Sequence, residues 1–176
     1  MKNSERETML PTTENIITER TDREVIYTRV FDAPRELVWA AWSDPRHIGQ
    51  WWGPNGFTTT TYSMDFKPGG VWRYVMHGPD GTDYQNKIVY LEIVKPERLL
   101  YNHLGDDGKV SFQTTVTFVA EGDKTKLTMR ALFPSAEALQ FVAEKYHAIE
   151  GGKQTLGRLA EYVETASLAA EEANVD

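Results

Sequence analysis

The stretch 67–81, KPGGVWRYVMHGPDG, reads as one strand held between two turns. Gly and Pro crowd both ends, while Trp72, Tyr74 and Met76 alternate with Arg73 and Val75, the period of two that lines one face of a sheet. The exit GPDG at 78–81 is a tight link of the kind that favours an antiparallel neighbour. The same texture continues through DYQNKIVYLEIV, RLLYNHL, SFQTTVTFV and KLTMRALF, joined by KPE at 95–97, GDDGK at 105–109 and EGDK at 121–124, and FTTTTYSMDF precedes it. These strands read as a meander. Alternation places Trp72, Tyr74 and Met76, then Thr114, Val116 and Phe118, then Leu127, Met129 and Ala131 on one face, with Arg73, Gln113, Thr115, Thr117, Lys126, Thr128 and Arg130 on the other. NKIVYLEIV at 86–94 is apolar on both parities, so the pattern leaves its inward face open.

Helices flank this sheet. After a first strand, REVIYTRVF, the stretch DAPRELVWAAWSD offers Asp32 as a helix cap and Pro34 in the first turn, with Leu37, Val38, Ala41 and Trp42 as its apolar face. Asp44 and Pro45 start a second short helix that runs into QWWGPNGF at 50–57. At the far end Ser135 caps AEALQFVAEKY, and a last helix from about Glu150 to Thr165 keeps Leu156, Leu159 and Val163 on one stripe, continuing from Ile149. Gly151, Gly152 and Gly157 each cost a helix about 1 kcal/mol relative to Ala. Either the helix starts at the glycine pair, or it needs space beside its axis, which would turn Gly152, four before Leu156, toward the interior. Three parts result: a flexible segment at 1–21, a folded domain at 22–167 and an acidic tail at 168–176.

Composition narrows the function. The chain has 176 residues, enough for one core, and no Cys, which excludes disulfides, thiolate metal sites and cysteine nucleophiles. A formal net charge of −7 opposes a nucleic-acid partner, which needs clustered Lys and Arg, and no apolar run long enough to insert in a membrane is present. Without a signal-peptide pattern, a cytoplasmic location is expected. The histidines at 47, 77, 103 and 147 form no His-x-x-His or similar spacing, so no metal is expected, and there is neither a nucleophile elbow nor a phosphate loop.

Five motifs in order, FDAPRELVWAAWSDP, QWWGPNGF, KPGGVWRYVMHGPDG, LEIVKPERLLY and EGGKQTLGRLAEYV, resemble the SRPBCC superfamily, specifically bacterial single-domain members related to the activator of the heat-shock-protein ATPase. The resemblance spans roughly residues 22 to 166. It implies an α+β helix-grip fold, in which a curved antiparallel sheet of six or seven strands wraps a long C-terminal helix, with two short helices between the first and second strands. It further implies a cavity between sheet and helix, used in the wider superfamily for lipids, steroids or polyketides and in a few branches for cyclisation or ring hydroxylation. Eukaryotic co-chaperone relatives use a second domain to engage the chaperone; this chain shows one.

The simplest role of Trp51 and Trp52 is packing that closes the end of the sheet. The functional assignment puts Trp52 and Phe57 on a pocket rim, with Pro54 and Gly56 shaping a mobile loop. Trp72, Tyr74, Met76, Ile88, Tyr90, Tyr101, His103, Thr114, Val116, Met129, Gly152 and Leu156 complete the expected cavity lining. Tyr84 adds a further hydroxyl, and Asp83 or Glu92 would serve as a general base only if buried. The expected function is cofactor-free binding of a small apolar or aromatic molecule without catalysis. A chaperone-stimulating interaction module and a cofactor-free cyclase or isomerase are the alternatives, neither favoured.

Overall fold

The computed structural model describes residues 15–173, and the expectations for residues 1–14 and 174–176 lie outside the described residues. The elements are β1 (Ile17–Arg20), β2 (Glu24–Phe31), α1 (Arg35–Ser43), α2 (Pro45–Ile48), β3 (Thr58–Met64), β4 (Val71–His77), β5 (Asp83–Val94), β6 (Arg98–Leu104), β7 (Val110–Glu121), β8 (Lys124–Leu132), α3 (Ala136–Lys145) and α4 (Ala148–Ala173). All eight strands join one antiparallel sheet in the order β1-β2-β8-β7-β6-β5-β4-β3. The meander from β3 to β8 is the expected one, and β2 lies beside β8 with Val25 opposite Ala131 and Tyr27 opposite Met129. This is the helix-grip arrangement with one strand more than expected. Ile17–Arg20, in the segment read as flexible, pairs with β2; four residues at an exposed edge carry too little alternation to be seen as a strand. The two short helices therefore stand between the second and third strands.

The alternation of the meander translates directly into burial. Trp72, Tyr74, Thr114, Val116, Phe118 and Leu127 are buried, whereas Arg73, Lys126 and Arg130 are exposed. Strand β5 resolves its ambiguity with a bulge. Tyr90 pairs with Tyr101 and Ile93 with Leu99, but the register shifts between Tyr90 and Glu92, so Ile88 and Tyr90 face inward on one parity and Ile93 on the other. The turn before β4 docks at the same place: Gly69 N donates to Tyr90 O at 2.7 Å and Tyr90 N donates to Gly70 O at 3.0 Å. A Cβ on Gly70 would overlap the Asp65 carbonyl, so this close approach requires glycine.

Caps explain where the helices begin. Asp44 Oδ1 accepts from Arg46 N at 2.8 Å and Ser135 Oγ from Ala138 N at 3.0 Å, both as expected. Asp32 is not a cap: α1 starts after Pro34, and the Asp32 backbone N donates to Glu164 Oε2 at 3.0 Å, tying the strand end to α4. Helix α4 begins at Ala148 and so includes the glycine pair. It buries Leu156, Leu159, Ala160 and Val163 and lies against β2 and α1. The space beside Gly152 is taken by the Tyr27 ring, whose hydroxyl donates to Ile149 O at 3.3 Å. A phenyl group at 152 would meet that ring, not an open chamber.

The two neighbouring glycines should respond to alanine with opposite signs. Gly152→Ala forces a Cβ into the Tyr27 phenol and should destabilise the domain by about 1–3 kcal/mol. At Gly151 a Cβ would meet only Pro54 carbons, at 3.6 Å and beyond, so Gly151→Ala should gain up to about 1 kcal/mol of helix propensity. Urea unfolding checks both; equal effects would contradict this packing.

Candidate functional site

The doubled tryptophan answers to its surroundings. Asp44 turns the chain sharply, its carboxyl held near 2 by its hydrogen bonds from Arg46, and α2 delivers both indoles beneath the sheet. Trp51 is fully buried and its Nε1 donates to Ala41 O at 3.1 Å. Trp52 sits edge-on to Trp42, Trp72 and Tyr74, with ring centroids 5.7, 5.0 and 6.0 Å away, while Trp72 stacks on Tyr74 at 3.9 Å. Edge-to-face pairs of this kind add about 0.5–1.5 kcal/mol each beyond the area they bury.

Trp42, Ile48 and Leu99 converge with Trp52, Trp72, Ile88, Tyr90 and Tyr101 on one interior point. The floor is β4, β5 and β6; the roof is α1, α2 and Trp52. No room for a water-sized sphere remains between them. Five of the residues assigned from the sequence thus meet here, and Trp42, Ile48 and Leu99 are additions. Leu99 was legible in principle, since it alternates with Tyr101 in RLLYNHL.

The other assigned residues spread around this point. Tyr74, Thr114, Val116 and Leu156 are buried in the same core, and Met129 packs against it. Phe57 lies half-buried at the edge, near Tyr84, which stays exposed. Met76 Sδ lies beside Gly53, near the loop. His103 stacks on Phe112 at 4.0 Å, and Phe112 on Phe133 at 4.9 Å. Gly152 belongs to the Tyr27 contact described above.

The loop after Trp52 is held to α4 by polar bonds. Arg158 Nη1 donates to Gly53 O at 2.8 Å and to Pro54 O at 2.9 Å, and Asn55 N donates to Gln154 Oε1 at 3.1 Å. Gly53 adopts φ 110, a backbone conformation closed to most side chains. The loop is a strap across the edge of the aromatic layer, fastened at its crown by one guanidinium and one amide.

Burial keeps the phenols of the aromatic layer uncharged. Tyr74, Tyr90 and Tyr101 are all pushed above the ordinary phenol range by desolvation. Desolvation lowers the half-buried His103 to about 3, so its imidazole is neutral at pH 7. Asp83 and Glu92 are exposed and paired, Asp83 with His77 and Glu92 with Arg98. His77 bridges Asp83 and Thr60, at 2.8 Å on each side. This relay has the bonding order of a hydrolytic triad, yet it stands in the open at the edge strand, and its evident effect is to fasten β3 to β4 and β5. Among the described residues no three His, Cys, Asp or Glu side chains cluster as a metal site, and no helix is long and apolar enough to cross a membrane.

His103 makes stability depend on acid. Its folded value lies below the unfolded value of about 6.5, so the unfolded chain binds the extra proton between them; its contribution is intact above pH 6.5 and is lost as pH falls toward 3. The stability of the wild type relative to His103→Phe should therefore fall with a limiting slope of about 1.4 kcal/mol per pH unit in that window. Urea titrations at pH 7, 6, 5 and 4 measure it; a constant difference would contradict the desolvation of this imidazole.

Comparison with known proteins places this geometry. A solved protein of Arthrobacter aurescens shares 26% identity over 86% of this chain and 92% of its own, with a TM-score of 0.79. Protein Ms6760 of Mycobacterium smegmatis shares 25% identity over 86% and 99%, with a TM-score of 0.76. A Nitrosomonas europaea protein at 20% identity, covering 84% and 98% with a TM-score of 0.75, shares the fold. No curated protein matches the chain. The profile described as "Activator of Hsp90 ATPase homolog 1-like protein" matches residues 32–164, from the end of β2 into α4. The helix-grip sheet, the five motifs and this match agree, and the chain belongs to the family of Activator of Hsp90 ATPase homolog 1-like proteins.

Proposed function

We propose that the protein reversibly binds a small apolar or aromatic molecule beneath the strap at 52–57, between the sheet and its helical layer, without catalysing a reaction. One observation carries this reading: an interior wall made almost wholly of aromatic and aliphatic groups is closed at its edge by polar bonds to α4, which water can replace when the loop lifts. An apolar wall with a few placed polar groups is the usual chemistry of a small-molecule site. The filled interior means that the occupant enters by displacing Trp52 and its loop, so binding selects an open minor state. Neutral phenols and a neutral imidazole support binding over acid–base chemistry, which works best with a group that titrates near the working pH.

A thermal-shift screen of apolar ring compounds, followed by tryptophan emission, tests the proposal. A ligand at a hundred times its dissociation constant stabilises the native state by about 2.7 kcal/mol, roughly 5–10 °C in a domain of this size. Indole emission should move with it, because Trp42, Trp52 and Trp72 border the site. Arg158→Met should raise the association rate several-fold by unfastening the strap; an unchanged rate would place entry elsewhere, and a broad library without any shift would remove the proposal.

The family's description supplies a second reading, stimulation of a chaperone ATPase, and Leu91, Val94 and Val119 are exposed apolar side chains that a partner could cover. We expect ATP turnover by a bacterial chaperone of the Hsp90 class to be unchanged on adding this protein. A saturable, several-fold increase would place interaction ahead of binding.

A further inference from the structure

The aromatic interior contains a donor without an acceptor. Trp42 is only 2% exposed and lines the chamber, and its Nε1 is buried with no hydrogen-bond partner. Two neighbouring indoles are provided for: Trp51 Nε1 donates to Ala41 O and Trp72 Nε1 to Thr61 Oγ1. Around Trp42 stand the edge-on rings of Trp52 and Phe118, with centroids at 5.7 and 6.1 Å, and an aromatic face is at most a weak acceptor. Where Trp42 meets the other seven lining residues there is no space for a water molecule. An orphaned buried N–H is costly and uncommon enough in folded proteins to require a reason.

Resting on the binding reading above, we infer that the occupant is a neutral ring compound bearing a carbonyl oxygen, and that this oxygen accepts from Trp42 Nε1. The chamber's chemistry narrows the class from both sides. A pure hydrocarbon entering the opened site would leave the indole N–H unpaired. A carboxylate or other anion would enter a wall with no cationic side chain, since all eight lining residues are uncharged, and an unpaired buried anion is strongly disfavoured. A single neutral acceptor on an apolar ring satisfies the indole and introduces no charge. The phenols of Tyr90 and Tyr101, held protonated, line the same space.

The test compares two ligands of one skeleton, indane and 1-indanone, titrated into the 15N-labelled full chain while the five tryptophan indole N–H signals are followed. Trp42→Phe identifies the Trp42 signal by its disappearance. The ketone should bind about five- to tenfold more tightly than the hydrocarbon, the gain of about one net hydrogen bond, and should shift the Trp42 signal downfield, whereas indane binds without that downfield shift. In Trp42→Phe the ratio of the two affinities should fall to about one, whatever happens to each. If that variant fails to fold, assignment through the backbone of the wild type and the wild-type ratio decide alone. Equal affinities, or a ketone that binds with the Trp42 signal unmoved, would overturn the inference while leaving apolar binding intact. Failure of both ligands to bind would overturn the inference together with the reading on which it rests.

Discussion

The packing of Trp52 against Trp42, Trp72 and Tyr74 is the contact on which the rest of the structure depends. It joins the helix after β2, the strap and strand β4 beside the β3 edge, three segments that share no backbone hydrogen-bond ladder. Large rings meeting edge to face give this junction both area and geometry, and the tight Asp44 turn is what aims the pair of indoles into it. With Trp52 in place, α1 is seated over the sheet, the strap must cross near α4, and Arg158 finds two carbonyls within reach.

The same contact sets the tension in the functional account. Close packing stabilises a domain through many small contacts, and here it also fills the interior that a ligand would occupy. The core away from the strap is anchored by strand pairing and by the α4 stripe of Leu156, Leu159 and Val163. The strap has fewer ties. Its bonds to Arg158 and Gln154 join side chains to backbone at the edge of the sheet, and elements of that kind open at lower free energy than central strands. Under the proposed function, binding there would be a competition between a ligand and the protein's own indole.

How much of this was legible from the chain follows from how local each cause is. Alternation along β4, β7 and β8 revealed the inner face because a strand's period is a property of neighbouring residues. The Asp44 and Ser135 caps were visible for the same reason, whereas Asp32 was drawn away by Glu164, 132 residues later. The bulge at Leu91 was hidden inside a run apolar on both parities. Gly152 could be seen as a helix position needing space, but Tyr27, which takes that space, lies on a strand more than a hundred residues away. For the site, residue types and five of the converging side chains were readable; the filling of the chamber and the unpaired Trp42 indole were not, because both arise from how three distant segments close on one point.

If a ligand enters as proposed, Trp52 and the strap open while strand pairing and the α4 stripe of Leu156, Leu159 and Val163 stay in place. Native-state amide hydrogen exchange at low denaturant tests this most directly, comparing the amides of Trp52, Asn55 and Phe57 with those of Val116 and Leu127 in β7 and β8. The strap amides should exchange through an opening about 2 kcal/mol or more below global unfolding, with a denaturant dependence that is small beside that of global unfolding because only Trp52 and its loop are exposed. Exchange of the strap only at the free energy of the β7 and β8 amides, with the same denaturant dependence, would contradict it.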